Sequence, residues 1–288
     1  MELTNLSVIR EITTRHGMRL SKSLGQNFLI NPSVCPRIAE MGGANKDTCV
    51  LEIGPGIGTL TKELAKRAKQ VLAIELDGRL PPVLEETLAG FSNIRVVQGD
   101  AMKMDLKTLM AETFGGNEAV VCANLPYYIT SPLIMRLLEE RLQLKSITVM
   151  VQKEAAQRIC APLPSRDAGA ITAAVHYYAR PQLLFSVAGG SFYPPPKVES
   201  SVLRLDLHKE PPVFVKGEAM LFRVIGAAFS QRRKILLNCL SAGLGLDKNI
   251  VSSALKEARI SDAKRAEQLS MEDFALIANA FSGADEEI

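Results

Sequence analysis

Between residues 48 and 160 the chain alternates between strand-like and helix-like runs five times. Apolar, β-branched stretches at 48–53, 70–76, 93–98, 118–124 and 146–151 are each followed by a helical pattern. Those helices fall at 59–68, 80–89, 106–114, 131–140 and 153–160. Strands joined by helical crossovers predict a mostly parallel sheet with helices on both faces. The pattern breaks at Pro162-Leu163-Pro164-Ser165-Arg166. Residues 175–179, 183–187 and 201–207 then read as strands with no helix between them, an antiparallel edge added to the sheet. Residues 208–217, with Pro211-Pro212, read as a linker. Apolar residues at helical spacing follow over 218–232, 234–242, 248–258 and 270–280. A chain of 288 residues has room for two domains. The expected division is an α/β domain over 1–207 and a small all-α domain over 208–288.

Composition narrows the function classes. Hydrophobic residues make up 47% and charged residues 23%, enough for an ordinary packed core. The net charge of +3 is a mild basic bias. It permits a nucleic-acid partner without demanding one. Five cysteines are widely spaced with no C-x-x-C pair, and none of the three histidines lies close to one in sequence. That argues against a zinc site or a disulfide framework and points to a reducing, cytoplasmic setting. No secretory h-region is visible at the N-terminus, and no run reaches the roughly 20 apolar residues that span a bilayer.

The chemistry should lie where the strands end, because open α/β sheets bind ligands outside the carboxyl ends of their strands. The first strand runs into Gly54-Pro55-Gly56-Ile57-Gly58. A dinucleotide fingerprint would place its third glycine at position 59, which is Thr59, so a nicotinamide site fits poorly. No G-K-[ST] follows, so this is not a P-loop either. The form from Glu52 to Gly58 instead resembles the first motif of S-adenosylmethionine-dependent methyltransferases. A structural strand-to-helix turn would look much the same. The second strand ends at Glu75, placed to accept hydrogen bonds from both ribose hydroxyls. The third is closed by Asp100, which could accept from an adenine amine. A solvated charge and a helix cap are the plain alternatives for these two, and a paired-carboxylate site stays open. The fourth strand ends at Asn124-Leu125-Pro126-Tyr127. This resembles the motif of methyltransferases that act on an amino nitrogen of a base. Asn124 and the Leu125 carbonyl would hold the amine, and Tyr127 would stack on a base drawn out of its helix. No G-x-S-x-G is present to suggest a hydrolase. Arg232, Arg233 and Lys234 form one basic cluster, Arg15, Arg19 and Lys22 a second, and Lys197 follows the Tyr193-Pro194-Pro195-Pro196 loop. These favour phosphate contacts.

Taken together, Ser23-Leu24-Gly25-Gln26-Asn27-Phe28-Leu29, the Glu52–Gly58 loop, Asn124-Leu125-Pro126-Tyr127-Tyr128, Phe192-Tyr193-Pro194-Pro195-Pro196-Lys197-Val198 and Arg232-Arg233-Lys234 resemble the rRNA adenine N6-dimethyltransferase family. The matches span nearly the whole chain. More narrowly they resemble its bacterial small-subunit branch, which dimethylates two adjacent adenosines near the 3′ end of 16S rRNA. The resemblance implies a Rossmann-like class I methyltransferase fold with a seven-stranded, mostly parallel sheet. It implies S-adenosylmethionine held by Gln26, Asn27, Leu29, Gly54, Gly56, Glu75, Asp100 and Asn124, and no metal. Phe192 would face the flipped adenine opposite Tyr127. Lys22, Lys197, Arg232, Arg233 and Lys234 would meet RNA. The expected partner is 16S rRNA in an immature 30S subunit, bound by a monomer. Two alternatives remain: a 23S rRNA methyltransferase of the Erm type, and an assembly factor whose main role is to bind immature subunits.

Overall fold

The computed structural model describes residues 1–18 and 27–282. The chain opens with α1 (Leu6–Arg15), capped by Asn5, whose Oδ1 accepts from the Ser7 amide at 2.9 Å. At its end Arg15 pairs with Glu86, and His16 Nε2 lies 2.7 Å from the same carboxylate. Next comes α2 (Val34–Met41). It starts after a local turn in which Asn31 Oδ1 accepts from the Ser33 amide, not directly at Asn31-Pro32.

The alternation then unfolds as β1 (Cys49–Ile53), α3 (Thr59–Arg67), β2 (Gln70–Glu75), α4 (Pro81–Thr87), β3 (Ile94–Gln98), α5 (Leu106–Phe114), β4 (Ala119–Asn124), α6 (Thr130–Glu139), β5 (Leu144–Gln152) and α7 (Lys153–Ile159). Prolines at the start of α4 fit the first turn of a helix, where an amide has no partner to lose. After α8 (Ala170–Tyr178) come β6 (Ala179–Val187) and β7 (Ser200–Leu207). The sheet order is β3-β2-β1-β4-β5-β7-β6, seven strands as expected. β1 runs parallel to β2 and β4, β2 to β3, and β4 to β5, while β7 is antiparallel to β5. β1 is buried along its whole length, as a central parallel strand with helices on both faces must be. Val50 pairs with Val71 on one side and Val120 on the other.

One expectation fails locally. Residues 175–179 do not form a strand; 175–178 end α8 and the strand begins at Ala179. A short apolar run fits either period, and here packing decides. Ala173 and Tyr177, one helical turn apart, enter a core with Leu221, Val224 and Ile225, and Tyr177 meets Phe222 edge-on at 5.6 Å. The C-terminal helices are α9 (Glu218–Ala228), α10 (Leu236–Leu244), α11 (Lys248–Glu257) and α12 (Met271–Ser282). Ser270 and Asp273 cap α12 reciprocally, each side chain accepting the other's amide at 3.1 Å.

The chain divides into two compact units. The sheet unit comprises residues 1–156 and 182–207, and the helical unit takes 157–181 together with the chain from His208 onward. Besides the crossing at 207, the chain therefore changes unit at 156 and 181.

Candidate active site

The carboxyl ends of β1, β2, β3 and β4 open into one pocket of the sheet unit. It lies where the strand order reverses between β1 and β4, the switch point at which such sheets bind ligands. Its wall includes Asn27, Leu29, Gly54, Gly56, Glu75, Asp100, Asn124, Leu125, Pro126, Tyr127 and Phe192. All but one of the residues assigned to cofactor or base thus meet in one place. Gln26, the exception, lies outside the described residues, as does Lys22.

The glycine loop is built for close approach. Gly54 and Gly56 have φ of +72° and +59°, a region that side chains with a Cβ rarely enter. A Cβ on Gly56 would stand 3.6 Å from the Phe28 ring, an ordinary contact, so it is the backbone conformation and not lack of space that calls for glycine there. Glu75 ties the loop to the next strand. Its Oε2 accepts from the Gly56 amide at 3.2 Å and its Oε1 from the Asp77 amide at 2.8 Å. Each oxygen keeps a lone pair for a ligand hydroxyl. Burial raises the Glu75 pKa, and those two amides oppose the rise. Asp77 forms a turn, as its position suggests, and grips the Arg79 guanidinium through both oxygens at 2.8 and 2.6 Å. Asp100 shapes the next loop, with Oδ1 accepting from the Met102 amide at 2.9 Å.

Glu52 is the least expected group. It lies on β1, 1% exposed, with Oε2 lacking a hydrogen-bond partner. Burial, reinforced by the neighbouring Glu75 charge, pushes its pKa up to about 8. It is therefore a neutral acid near pH 7.

At the end of β4 the Leu125 amide donates to the Met150 carbonyl at 3.1 Å, continuing the pairing with β5. Among the described residues the Asn124 carboxamide has no hydrogen-bond partner, although it lines the pocket. A turn over Tyr127–Ile129 follows. It leaves Tyr127 half-buried in the wall and Tyr128 exposed. Phe192 reaches the same wall from far along the chain, because it pairs with Leu29 and Tyr193 with Phe28 in a short antiparallel ladder.

Two side chains that support the site escape sequence reasoning. Arg136 on α6 donates to the Ala101 and Met104 carbonyls, bracing the loop after Asp100. An arginine inside an otherwise apolar helix was the available signal. Ser200 is the second; its hydroxyl lies 2.7 Å from the Tyr127 hydroxyl. The basic residues are spread between the units. Lys197 is exposed on the sheet unit. Arg232, Arg233 and Lys234 are exposed on the helical unit, where Arg232 and Lys234 share a recess with Arg158.

The model of the family described as ribosomal RNA adenine dimethylase matches residues 17–282. The chain belongs to this family. It is 44% identical to the ribosomal RNA small subunit methyltransferase A of Alkaliphilus oremlandii, over 94% of each chain. A solved dimethyladenosine transferase from Plasmodium falciparum is 25% identical, with a TM-score of 0.73 over 89% of this chain and 98% of the other. The 23S rRNA methyltransferase ErmE is 26% identical, with a TM-score of 0.68 over 89% of this chain and 100% of the other. The chain is accordingly an S-adenosylmethionine-dependent methyltransferase with a Rossmann-like fold. No helix among the described residues is long and apolar enough to cross a membrane.

Proposed function

We propose that the protein dimethylates N6 of two adjacent adenosines near the 3′ end of 16S rRNA. It would act as a cytoplasmic monomer on an immature small subunit. One observation carries the reading: an unpartnered Asn124 carboxamide and two aromatic side chains, Tyr127 and Phe192, line the same pocket as Gly54, Glu75 and Asp100. The small-subunit branch is favoured by the name and 44% identity of the Alkaliphilus relative, against 26% for the large-subunit enzyme.

The pocket suits the cofactor on its own evidence. The positive-φ glycines leave open wall where side chains would intrude, and the buried Glu75 retains acceptor capacity. Glu75 takes the ribose hydroxyls, Asp100 the adenine amine, and Asn27 and Leu29 close the pocket from the N-terminal side. When bound, S-adenosylmethionine supplies a methyl group already activated on a sulfonium. The protein's task is then to present the amine. An adenine N6 lone pair is conjugated into its ring and attacks poorly. The Asn124 oxygen and the Leu125 carbonyl each accept one N–H, which favours a pyramidal nitrogen with its lone pair free. Tyr127 and Phe192 hold the extruded base between them. The gain comes from positioning, not from a strong base.

Primer extension on 16S and 23S rRNA, after incubation of unmodified 30S and 50S subunits with enzyme and cofactor, tests the substrate. Dimethyladenine blocks the Watson–Crick edge, so the expected result is a stop at two adjacent adenosines of 16S rRNA. A stop on 23S rRNA alone would move the protein to the other branch. Asn124→Ala should abolish the stop while leaving much of the cofactor affinity by calorimetry, and retained turnover would refute its part.

A further inference from the structure

We infer that Ser200 is a positioning residue for methyl transfer, pinning the ring of Tyr127 through its hydroxyl. The inference rests on the reading of Tyr127 as the platform for the target base. The two hydroxyls are 2.7 Å apart and hydrogen-bonded, and either can donate. Ser200 is fully buried at the first position of β7, where it pairs with Gln152. Tyr127 is half-buried, with one face of its surroundings formed by the pocket.

The arrangement gives that bond leverage. Swinging a tyrosine ring about its Cα–Cβ bond carries the hydroxyl with it, whereas turning the ring about its own axis leaves the hydroxyl in place, so a bond at the far end fixes where the ring stands. Ser200 can fix it because its own position is set twice. Its strand is laddered to β5, and the residue before it is tied to Lys153, the first residue of α7. The Lys153 amide donates to the Glu199 carbonyl at 3.0 Å, and Lys153 Nζ donates to the Glu199 carboxylate at 2.6 Å. On the other edge of β5, Asn124 pairs with Met150, and the Leu125 amide donates to the Met150 carbonyl. The strand that places the amine-holding residues therefore also places the group that anchors the stacking ring. Ser200 lies eight residues after Phe192, so one loop carries both the second aromatic wall and the pin for the first.

Such a pin sets where the ring stands when a base meets it and leaves the cofactor's own contacts alone. The test compares Ser200→Ala, Tyr127→Phe, the double variant, Ser200→Thr and Tyr127→Ala in the full chain. Transfer of tritiated methyl groups to 30S subunits lacking the modification gives kcat and KM, and calorimetry gives the cofactor Kd. Losing one hydrogen bond should lower transfer roughly 3- to 10-fold. Ser200→Ala and Tyr127→Phe should show that loss equally, with no further loss in the double variant. Ser200→Thr should recover most of the rate, and the cofactor Kd should not move in any of them. A Tyr127→Phe protein at the parental rate would overturn the inference, as would additive losses in the double variant. Tyr127→Phe removes the bond from the less buried side, so the test survives a misfolded Ser200→Ala. Tyr127→Ala separates the two levels. If it keeps full transfer, the platform reading itself fails. If it loses transfer while Tyr127→Phe and Ser200→Ala do not, only the pin fails.

Discussion

Glu52 stands on β1 two residues after Val50, and Val50 packs in the core layer that holds the Cys35 and Cys122 thiols. Its charge raises both thiols, beyond the larger effect of their own burial. With a pKa raised to about 8 from an ordinary 4.5, the folded protein keeps a proton that the unfolded chain has lost between those values. The folded state binds more protons across that window, so stability must fall as pH rises through it. Glu52→Gln replaces the neutral acid with a neutral amide of the same shape and removes this dependence. The melting temperature of the parent should drop by several degrees more than the variant's between pH 5 and pH 8.5. Glu75, also raised by burial, contributes a slope of the same sign in both proteins, so the difference between the curves reports Glu52 together with its coupling to Glu75. Parallel curves would mean that Glu52 is ionised in the folded protein.

Among elements, α9 and α10 pack closely at Gly243. A Cβ on Gly243 would come within 2.5 Å of the Ala227 Cβ and 2.7 Å of its Cα, so these helices touch backbone to side chain. In an exposed helix interior glycine to alanine stabilises by about 1 kcal/mol. Here overpacking reverses the sign, and Gly243→Ala should cost about 1–3 kcal/mol in chemical denaturation. A neutral or stabilising result would mean the pair can part freely. Neither this contact nor α8 was legible in the sequence, because both depend on which helix comes to lie beside which. The strand ends were legible. Gly54, Glu75, Asp100 and Asn124 each stop an apolar run abruptly, and a run of buried strands with short crossovers leaves those positions nowhere to go but one edge of the sheet. Ser200 and Arg136 were hidden for the opposite reason. Their partners in the site lie 73 residues away for Ser200, and 35 and 32 for Arg136, and the local pairing of Arg136 with Glu140 gives no hint of the loop it braces.

For the whole molecule, the chemistry and the choice of RNA are matters for different residues. In the proposed reading the pocket would hold any extruded adenine of the right shape, since its polar groups would address one amine and its aromatic walls one ring. Selection of a ribosomal site therefore needs contacts elsewhere, and the exposed Arg232, Arg233 and Lys234 of the helical unit offer charge for phosphates. Phosphate contacts release counterions, so they govern how steeply binding falls with salt, and they carry little base identity. Replacing all three by alanine should weaken binding to unmodified 30S subunits. The slope of log K against log salt should become shallower by roughly 2 to 3. Cofactor affinity and transfer at saturating subunit should stay at the parental level, because none of the three lines the pocket. Exposed side chains cost little to remove, although Arg232 also donates to the Arg166 carbonyl at 3.0 Å, so a melt of the variant is the necessary control. An unchanged salt slope in a folded variant would exclude these cations from the RNA interface. It would also shift attention to Lys197 and Arg15 on the sheet unit, exposed cations that the sequence also singled out.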